Sequence, residues 1–253
     1  MISKEIKELL DSEAERINSK DFIQGDPVQF PRRFSKLEDI EIAALLSATI
    51  AWGNRKMICR NCDKMLSLMA DDPSGFIREK AYEAIDDELN IHRTFFGRNL
   101  KYWSRGFNRI LEKYGSIEGL AKKKKIVSDP FPAWSLASHL LKVLQEANEG
   151  KTDSRCLPVN ISTSALKRLN MAMRWLVRND GIVDLGVWDV IKPSQLFIPM
   201  DVHVSEVSRE LGLIERKSND RKAVEELTEV CRTMCPDDPA ISDFALFGIG
   251  MKL

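Results

Sequence analysis

An aspartate at the start of an amphipathic helix is the feature of this chain that most suggests chemistry. Asp201 follows Pro199, and a proline interrupts any preceding helix because it lacks an N–H group and restricts the residue before it. After Asp201, apolar residues recur at helical spacing, at Val204, Val207 and Leu211. We therefore predict that Asp201 is the N-cap of a helix, with its carboxylate directed at free backbone N–H groups.

A lysine at the start of another amphipathic segment provides a candidate nucleophile. Lys167 lies at the start of a predicted helix over residues 166–177, beside apolar residues that include Leu169 and Trp175. Apolar surroundings and a helix N-terminus both disfavour the ammonium form, and an uncharged lysine amine can form a Schiff base with a carbonyl group. The structural alternative is a surface lysine whose stem covers apolar side chains while its ammonium stays in water.

The spacing of apolar residues predicts helices along most of the chain. They recur every three or four positions rather than every second one, so strands are scarce and the predicted fold class is all-α. We predict a first helix around residues 6–10 and a short helix within 181–190. The longer predicted helices cover residues 37–51, 55–70, 74–81, 99–114, 134–147, 166–177, 201–213, 221–234 and 240–253. Lys167 and Asp201 therefore lie at the starts of two different predicted helices.

The composition is that of a soluble globular protein with balanced charge. The chain has 253 residues, 43% of them hydrophobic and 30% charged, which suits one large domain or two lobes. Lysine plus arginine and aspartate plus glutamate both number 38, which argues against binding nucleic acid by bulk charge alone but leaves room for a local basic surface. No apolar run of about 18 residues occurs and the charged N-terminus does not resemble a signal peptide, so we expect a cytoplasmic protein without membrane contact.

The five cysteines are predicted to be reduced thiols. Cys59 and Cys62 lie within one helical segment, and Cys231 and Cys235 lie within another. Zinc would require these segments to meet, whereas zinc-binding cysteine pairs usually lie on tight turns. We predict no metal and no cofactor.

Two segments resemble the helix-hairpin-helix/Gly-Pro-Asp DNA glycosylases. Residues 199–213, PMDVHVSEVSRELGL, resemble that superfamily's P-V/L-D-x-H-V segment, and residues 44–56 resemble its Leu-Leu-Ser helix and turn. The resemblance implies that Asp201 is catalytic and stabilises the cationic deoxyribose that forms as a damaged base leaves. The helix that opens with Lys167 and the long connection to Asp201 are most similar to archaeal 8-oxoguanine DNA glycosylases, which implies that Lys167 forms the Schiff base. Asp184 is a candidate carboxylate to accept the proton of that lysine.

The sequence also departs from the superfamily pattern. The Leu-Pro-Gly-x-Gly hairpin, whose backbone N–H groups usually grip a DNA phosphate, is missing, and Arg168, Arg174 or Arg178 are candidates to replace it. Thr49 stands where the superfamily has a glutamine beside the flipped nucleotide, and Trp52 is a candidate to stack on a base. The predicted DNA-contacting residues are Thr49, Trp52, Asn54, Arg55, Lys56, Arg168, Arg174 and His203.

The resemblance implies a two-lobed helical glycosylase-like fold with a cleft. Residues 36–192 would form a helical barrel lobe with a variant helix-hairpin-helix region, and residues 1–35 and 193–253 would form the second lobe. The expected function is a DNA glycosylase/AP lyase acting on duplex DNA, with oxidised guanine as one candidate lesion. Two alternatives are a non-catalytic nucleic-acid-binding protein on the same fold and a different hydrolase or transferase acting on RNA or a free nucleoside.

Overall fold

The computed structural model describes residues 2–253 and is mostly helical. Its α-helices are α1 (Lys4–Ile17), α2 (Lys20–Gln24), α3 (Leu37–Thr49), α4 (Arg55–Ser67), α5 (Pro73–Arg78), α6 (Gly97–Tyr114), α7 (Ile117–Lys123), α8 (Pro132–Ala147), α9 (Lys167–Val177), α10 (Val202–Glu210), α11 (Arg221–Met234) and α12 (Ser242–Met251). The strands β1 (Asn90–His92) and β2 (Phe95–Phe96) form a two-stranded antiparallel hairpin. The all-α prediction is confirmed, and the small hairpin is an addition that the helical spacing did not predict.

The chain divides into two compact units. Unit 1 joins the segment that ends at Phe22 with Ser162–Leu253, and unit 2 is Ile23–Ile161. The predicted division, 36–192 against 1–35 with 193–253, is likewise discontinuous. It differs in that α9 belongs to unit 1, together with α10, so Lys167 and Asp201 lie in the same unit.

Unit 1 is built around α12, which packs against α1 and α10. Phe244, Ala245 and Leu246 of α12 are fully buried, as expected of a helix that is apolar on most sides. Two glycines permit the close packing of this helix. A Cβ atom on Gly248 would lie 2.6 Å from Ile17 Cγ1 of α1, and one on Gly250 would lie 3.0 Å from His203 Cβ of α10.

Unit 2 is built around α3, in which Ile42, Ala43 and Leu46 are fully buried. This helix also buries two carboxylates. Asp39 accepts the Ser74 N–H at 2.7 Å. Glu41 accepts the backbone N–H groups of Ile117 and Glu118 at the start of α7. Carboxylates at these positions satisfy the unpaired N–H groups and the positive ends of α5 and α7.

The predicted short helix within residues 181–190 is wrong. This segment is irregular, and it turns back onto the end of α9. The N–H groups of Leu185 and Val187 donate to the carbonyls of Trp175 and Leu176, each at 2.7 Å. The segment therefore satisfies the last carbonyls of α9 instead of forming a helix of its own.

No helix among residues 2–253 combines the length and the apolar character that crossing a lipid bilayer requires.

Candidate active site

Lys167 and Asp201 face each other within unit 1. Asp201 is the N-cap of α10, as predicted, and its Oδ1 accepts the Val204 N–H at 3.0 Å. The other oxygen, Oδ2, lies 3.8 Å from Lys167 Nζ, and each of the two side chains is 25% exposed. The pair thus combines an amine and a carboxylate that are held in place and remain open to solvent.

The backbone before Lys167 is strained. Leu166 has φ 49° and ψ 36°, in the left-handed region that costs a residue with a Cβ atom about 1 kcal/mol or more. Leu166 is only 4% exposed, so its packing offsets this cost, and Ser164 Oγ accepts its N–H at 3.3 Å. The strained turn starts α9 at Lys167 and so fixes the origin of the lysine side chain.

The helix dipole makes the position of Lys167 unusual. A cation in the first turn of a helix is disfavoured by roughly 0.3–1 kcal/mol, whereas an N-cap carboxylate is favoured. Lys167 is the first residue of α9, and Asp201 supplies the opposing negative charge. The local sequence therefore places a lysine where stability alone would select an acidic or neutral residue.

A buried ion-pair network lies along the same helix. Arg174 pairs with Asp243 and, at 3.4 Å, with Asp184. Arg178 pairs with Asp184 at 2.5 Å and with Asp238 at 2.9 Å. Buried charges are tolerated only when they are paired and hydrogen-bonded, so this network fixes one face of α9 against its surroundings in unit 1.

Phe244 lies beneath both arginines of this network. Its ring centroid is 4.2 Å from Arg174 Cζ and 5.3 Å from Arg178 Cζ. Phe22 packs edge-on against the same ring, with centroids 5.6 Å apart. The aromatic ring therefore gives the two guanidinium groups an apolar support with a negative face.

The carboxyl groups of the network have perturbed acidities. Burial raises the pKa of Asp243 to about 6, against the opposing effect of Arg174. Burial also raises the pKa of Asp184, and Arg174 and Arg178 counteract part of that rise. For Arg178, burial disfavours the charge, but Asp184 and Asp238 outweigh it and raise its pKa. Shifted pKa values of this kind are common at functional sites and also occur in structural ion-pair networks.

Comparison with known proteins identifies a family. The sequence model of a family described as "Protein of unknown function (DUF2400)" matches residues 26–252. The chain belongs to the DUF2400 family. No curated protein and no solved structure matches the chain. For this DUF2400 chain, a functional interpretation therefore depends on the geometry of its own residues.

Two of the predicted DNA-contacting side chains are inaccessible. Thr49 is 3% exposed, at the end of the buried helix α3. Arg174 is 4% exposed and is held by Asp243 and Asp184, so it is a core residue rather than a substitute for the missing phosphate-binding hairpin. Helical spacing correctly placed both residues on helices but did not identify the partners they face.

Three of the remaining predicted contacts in unit 2, Trp52, Asn54 and Arg55, have structural partners. Trp52 packs edge-on against His92, with ring centroids 4.7 Å apart, and its carbonyl accepts the His92 Nε2–H at 2.9 Å. Asn54 is the N-cap of α4 and accepts the Met57 N–H at 3.2 Å. Arg55 Nη2 lies 3.5 Å from Asp26 Oδ2. Of this group, Asn54 and Lys56 are exposed, whereas Trp52 and Arg55 are partly buried.

In unit 1, His203 is exposed on α10 and Arg168 is half-buried on α9. Both therefore remain candidates for contact with a ligand.

Sequence reasoning missed Asp243 and selected Asp184 as the second carboxylate of the site. Asp184 is fully engaged by the two arginines, whereas the carboxyl of Asp243 is acted on by the charges of Lys167 and Asp201. The available signal was an aspartate at the start of a helix that is otherwise apolar. Such a residue requires a buried cationic partner.

No group of three or more potential ligands among residues 2–253 has the geometry to hold a metal ion. The five cysteines are free thiols. Burial raises the pKa of the Cys231 thiol to about 12, which keeps it protonated and unreactive at neutral pH.

Proposed function

We propose that this chain is a DNA glycosylase with AP lyase activity that removes a damaged base through a Schiff base on Lys167. The observation that carries the proposal is the approach of Lys167 Nζ to Asp201 Oδ2 at 3.8 Å, with both side chains partly exposed. The resemblance of residues 199–213 to the helix-hairpin-helix/Gly-Pro-Asp glycosylases supports the same chemistry. We also propose that the chain has the two-lobed fold of these glycosylases and that its partner is duplex DNA.

In the first step, the bond between the sugar C1′ and the base nitrogen breaks. The electron pair leaves with the base, which takes up a proton, and positive charge develops at C1′ and O4′. The carboxylate of Asp201 stabilises this charge through Oδ2, because Oδ1 is already engaged by the Val204 N–H. Preorganised groups of this kind typically contribute 10²–10³-fold to the rate.

In the second step, the uncharged Lys167 amine forms a bond to C1′. The C1′–O4′ bond then breaks, O4′ takes up a proton, and the nitrogen lone pair completes the C=N bond of the Schiff base. Loss of a C2′ proton expels the 3′ phosphate and cleaves the strand. Water finally hydrolyses the imine and restores Lys167, so the complete reaction consumes only water.

Positioning supports this assignment of roles. The amine and the carboxylate begin at two helix N-termini, and neither depends on a mobile loop tip. Arg174, two turns along α9 from Lys167, is fixed by its buried ion pairs. A nucleophile on a rigid helix approaches a bound sugar with little loss of freedom, which is a large part of enzymatic rate enhancement.

Borohydride trapping tests the proposal. The protein is incubated with duplexes that carry an abasic site, 8-oxoguanine or uracil, and borohydride reduces any Schiff base to a stable amine. We expect a covalent adduct on at least one duplex from the wild type and from Lys222→Gln, a control at an exposed lysine of α11. We expect no adduct from Lys167→Gln. A folded wild type that binds duplex DNA but forms no adduct would overturn the proposal in favour of a non-catalytic nucleic-acid-binding protein.

Asp201→Asn separates the two steps. Asparagine retains the N-cap hydrogen bond but removes the negative charge. We expect this variant to form the trapped adduct with a preformed abasic site and to lose release of a damaged base by about 100-fold or more. Equal base release by the variant and the wild type would contradict the role assigned to Asp201.

A further inference from the structure

Four consecutive lysines, Lys122–Lys125, lie where α7 ends and the chain turns toward α8. Lys125 has φ 53° and ψ 39°, in the left-handed region that costs a residue with a Cβ atom about 1 kcal/mol or more. The next residue, Ile126, is fully buried. Because Ile126 anchors the segment in the core, the turn is fixed in place while all four lysines remain exposed.

Most of these charges are not neutralised by neighbouring carboxylates. Lys122 is paired with the buried Glu118 at 2.8 Å, but the other three lysines form no ion pair among residues 2–253. The next acid along the chain, Asp129, accepts the Phe131 N–H at 2.8 Å. A helix dipole favours cations in the last turn of a helix, and this effect does not extend to a run that continues beyond α7. The four lysines therefore exceed what the end of α7 accounts for.

Helices α6 and α8 bring two more lysines to the same region. The helices are antiparallel, and Arg109 of α6 pairs with Glu146 of α8 at 3.1 Å. One turn further along α6 lies Lys113, and one turn back along α8 lies Lys142. This register places two exposed lysines at the same level of the helix pair, where the neighbouring turn has an arginine and a glutamate. Neither lysine forms an ion pair within the described chain, residues 2–253.

His139 connects the two groups of lysines. It precedes Lys142 by about one turn of α8, and α8 packs against the short 3-10 turn, Ile126–Ser128, that follows Lys125. Burial lowers the pKa of His139, and the charges of Lys124 and Lys142 lower it further. The cations of α7 and α8 thus converge on one side of unit 2. We define the lysine surface as Lys113, Lys122–Lys125, His139 and Lys142.

The composition of the lysine surface favours phosphate groups of a nucleic acid over a membrane or an acidic protein. A helix that lies on a membrane needs exposed apolar side chains, whereas Ile117 and Leu120 of α7 are buried and Val127, 40% exposed, is the one large apolar side chain exposed among residues 113–142. Lysine is depleted from protein–protein interfaces, which are enriched in aromatic side chains. Lysines bind phosphates as separate point charges, and duplex DNA carries one negative charge per roughly 1.7 Å of its axis.

We propose that the lysine surface of unit 2 binds the phosphate backbone of duplex DNA without reading its base sequence. Since the whole chain has equal numbers of basic and acidic residues, this attraction is local to the surface. The inference goes beyond the proposed function, because it concerns unit 2 and holds whether or not Lys167 forms a Schiff base. Cations that neutralise phosphates release the counterions condensed on DNA, so the affinity decreases as salt increases.

The salt dependence of binding to undamaged DNA tests this inference. Fluorescence anisotropy measures the affinity for a labelled duplex of arbitrary sequence between about 50 and about 200 mM salt, a range over which phosphate contacts change affinity strongly. The surface variant combines Lys123→Gln, Lys124→Gln and Lys142→Gln. The matched control removes the same charge from exposed lysines of α1 and α11, through Lys4→Gln, Lys7→Gln and Lys222→Gln. Circular dichroism establishes that both variants are folded.

We expect the surface variant to reduce the slope of log affinity against log salt by about 2 to 3, because each lost phosphate contact removes about 0.9. At about 0.1 M salt the same change is a loss of affinity on the order of 100-fold. The control should keep the wild-type slope. Equal slopes of the surface variant and the wild type, or equal losses in both variants, would overturn the inference. Failure of the wild type to bind the duplex would also overturn it.

A second measurement uses the wild type alone and locates the contact. Acetic anhydride labels exposed lysines with and without the duplex, and mass spectrometry measures the rate at each lysine. We expect the duplex to slow the labelling of Lys123, Lys124 and Lys142 several-fold and to leave Lys222 unchanged. Stronger protection of the lysine surface by phosphatidylserine vesicles or by polyglutamate, at equal concentration of negative charge, would overturn the inference in favour of a membrane or an acidic protein.

The two proposals fail in different ways. A trapped adduct on Lys167 together with an unchanged salt slope in the surface variant would leave the proposed function intact and remove the inference. A reduced slope in the surface variant without any trapped adduct in the wild type would remove the proposed function and leave the lysine surface as a site for the DNA backbone.

Discussion

Glu41 and Asp201 are both carboxylates at helix N-termini, but they differ in how their oxygens are used. In unit 2, Glu41 Oε2 accepts the Ile117 N–H at 2.6 Å, and Glu41 Oε1 accepts the Glu118 N–H at 2.7 Å. Its side chain is completely buried. In unit 1, Asp201 uses one oxygen to cap α10 and directs the other at Lys167, and a quarter of its side chain is exposed.

The comparison separates a structural carboxylate from one that is available for chemistry. Both satisfy free N–H groups and the positive end of a helix dipole, so a sequence shows the same kind of signal for each. What differs is the second oxygen, which in Asp201 faces an ammonium group instead of a second N–H group, and the exposure of the side chain to solvent. Accessibility and the second partner are therefore better guides to a candidate active site than the presence of a cap.

The largest effect on stability is expected from Glu41→Gln. A glutamine can accept only one of the two N–H groups with its carbonyl, and its own NH₂ group would face the other donor. We expect the free energy of unfolding to fall by about 4 kcal/mol, because two charge-assisted hydrogen bonds are weakened or lost. Urea denaturation measures the change, with the exposed Glu112→Gln on α6 as control. Equal stability of the two variants would mean that the start of α7 does not depend on the charge of Glu41.

The pH dependence of stability tests whether Asp243 is a buried carboxyl group with a raised pKa. Its folded-state pKa, about 6, is raised above the ordinary value of 3.8, so the stabilisation from its protonated form is complete below about pH 4 and is lost as the pH rises through 6. This loss is on the order of 3 kcal/mol. We expect the unfolding free energy of the wild type, relative to that of Asp243→Asn, to decline between pH 4 and 6. Parallel pH profiles for the two proteins would contradict the burial of an acidic Asp243.

The smallest effect is expected from substitution of Asp201 itself. Asp201→Ala removes the cap of α10 and should lower the free energy of unfolding by about 1 kcal/mol, whereas Asp201→Asn should stay within about 0.5 kcal/mol of the wild type. Thermal and urea denaturation of both variants measure these differences. A loss of several kcal/mol in Asp201→Asn would show that Asp201 is structural in the same sense as Glu41.

Much of the fold was predictable because helices carry a local signal. The apolar spacing around α9, α10 and α11 gave their positions to within a few residues, and Pro199 with Asp201 marked the start of α10. The apolar residues of segment 37–51 predicted the position of α3. These features depend on residues three or four apart in sequence, which is the range over which hydrophobic spacing and caps act.

The network around Asp243 was not predictable in the same way. Its contacts join residues that are far apart in sequence, such as Arg174 with Asp243, and a helical pattern shows the face of a helix but not what covers that face. The same gap explains why Arg174 was assigned to a phosphate and Asp184 to the lysine. The irregular structure of residues 181–190 was not predictable for another reason. Its backbone N–H groups donate to carbonyls at the end of α9, so its conformation does not follow from a local sequence pattern.

The central claim is that Lys167 is the residue that bonds to the sugar, and the most direct test is to locate the adduct in the chain. The borohydride-reduced complex is digested with nuclease and protease, and mass spectrometry identifies the modified lysine. We predict that the sugar remnant is on Lys167 and that it is absent in Lys167→Gln. An adduct on a different lysine, such as the exposed Lys192, with Lys167 unmodified, would contradict the account.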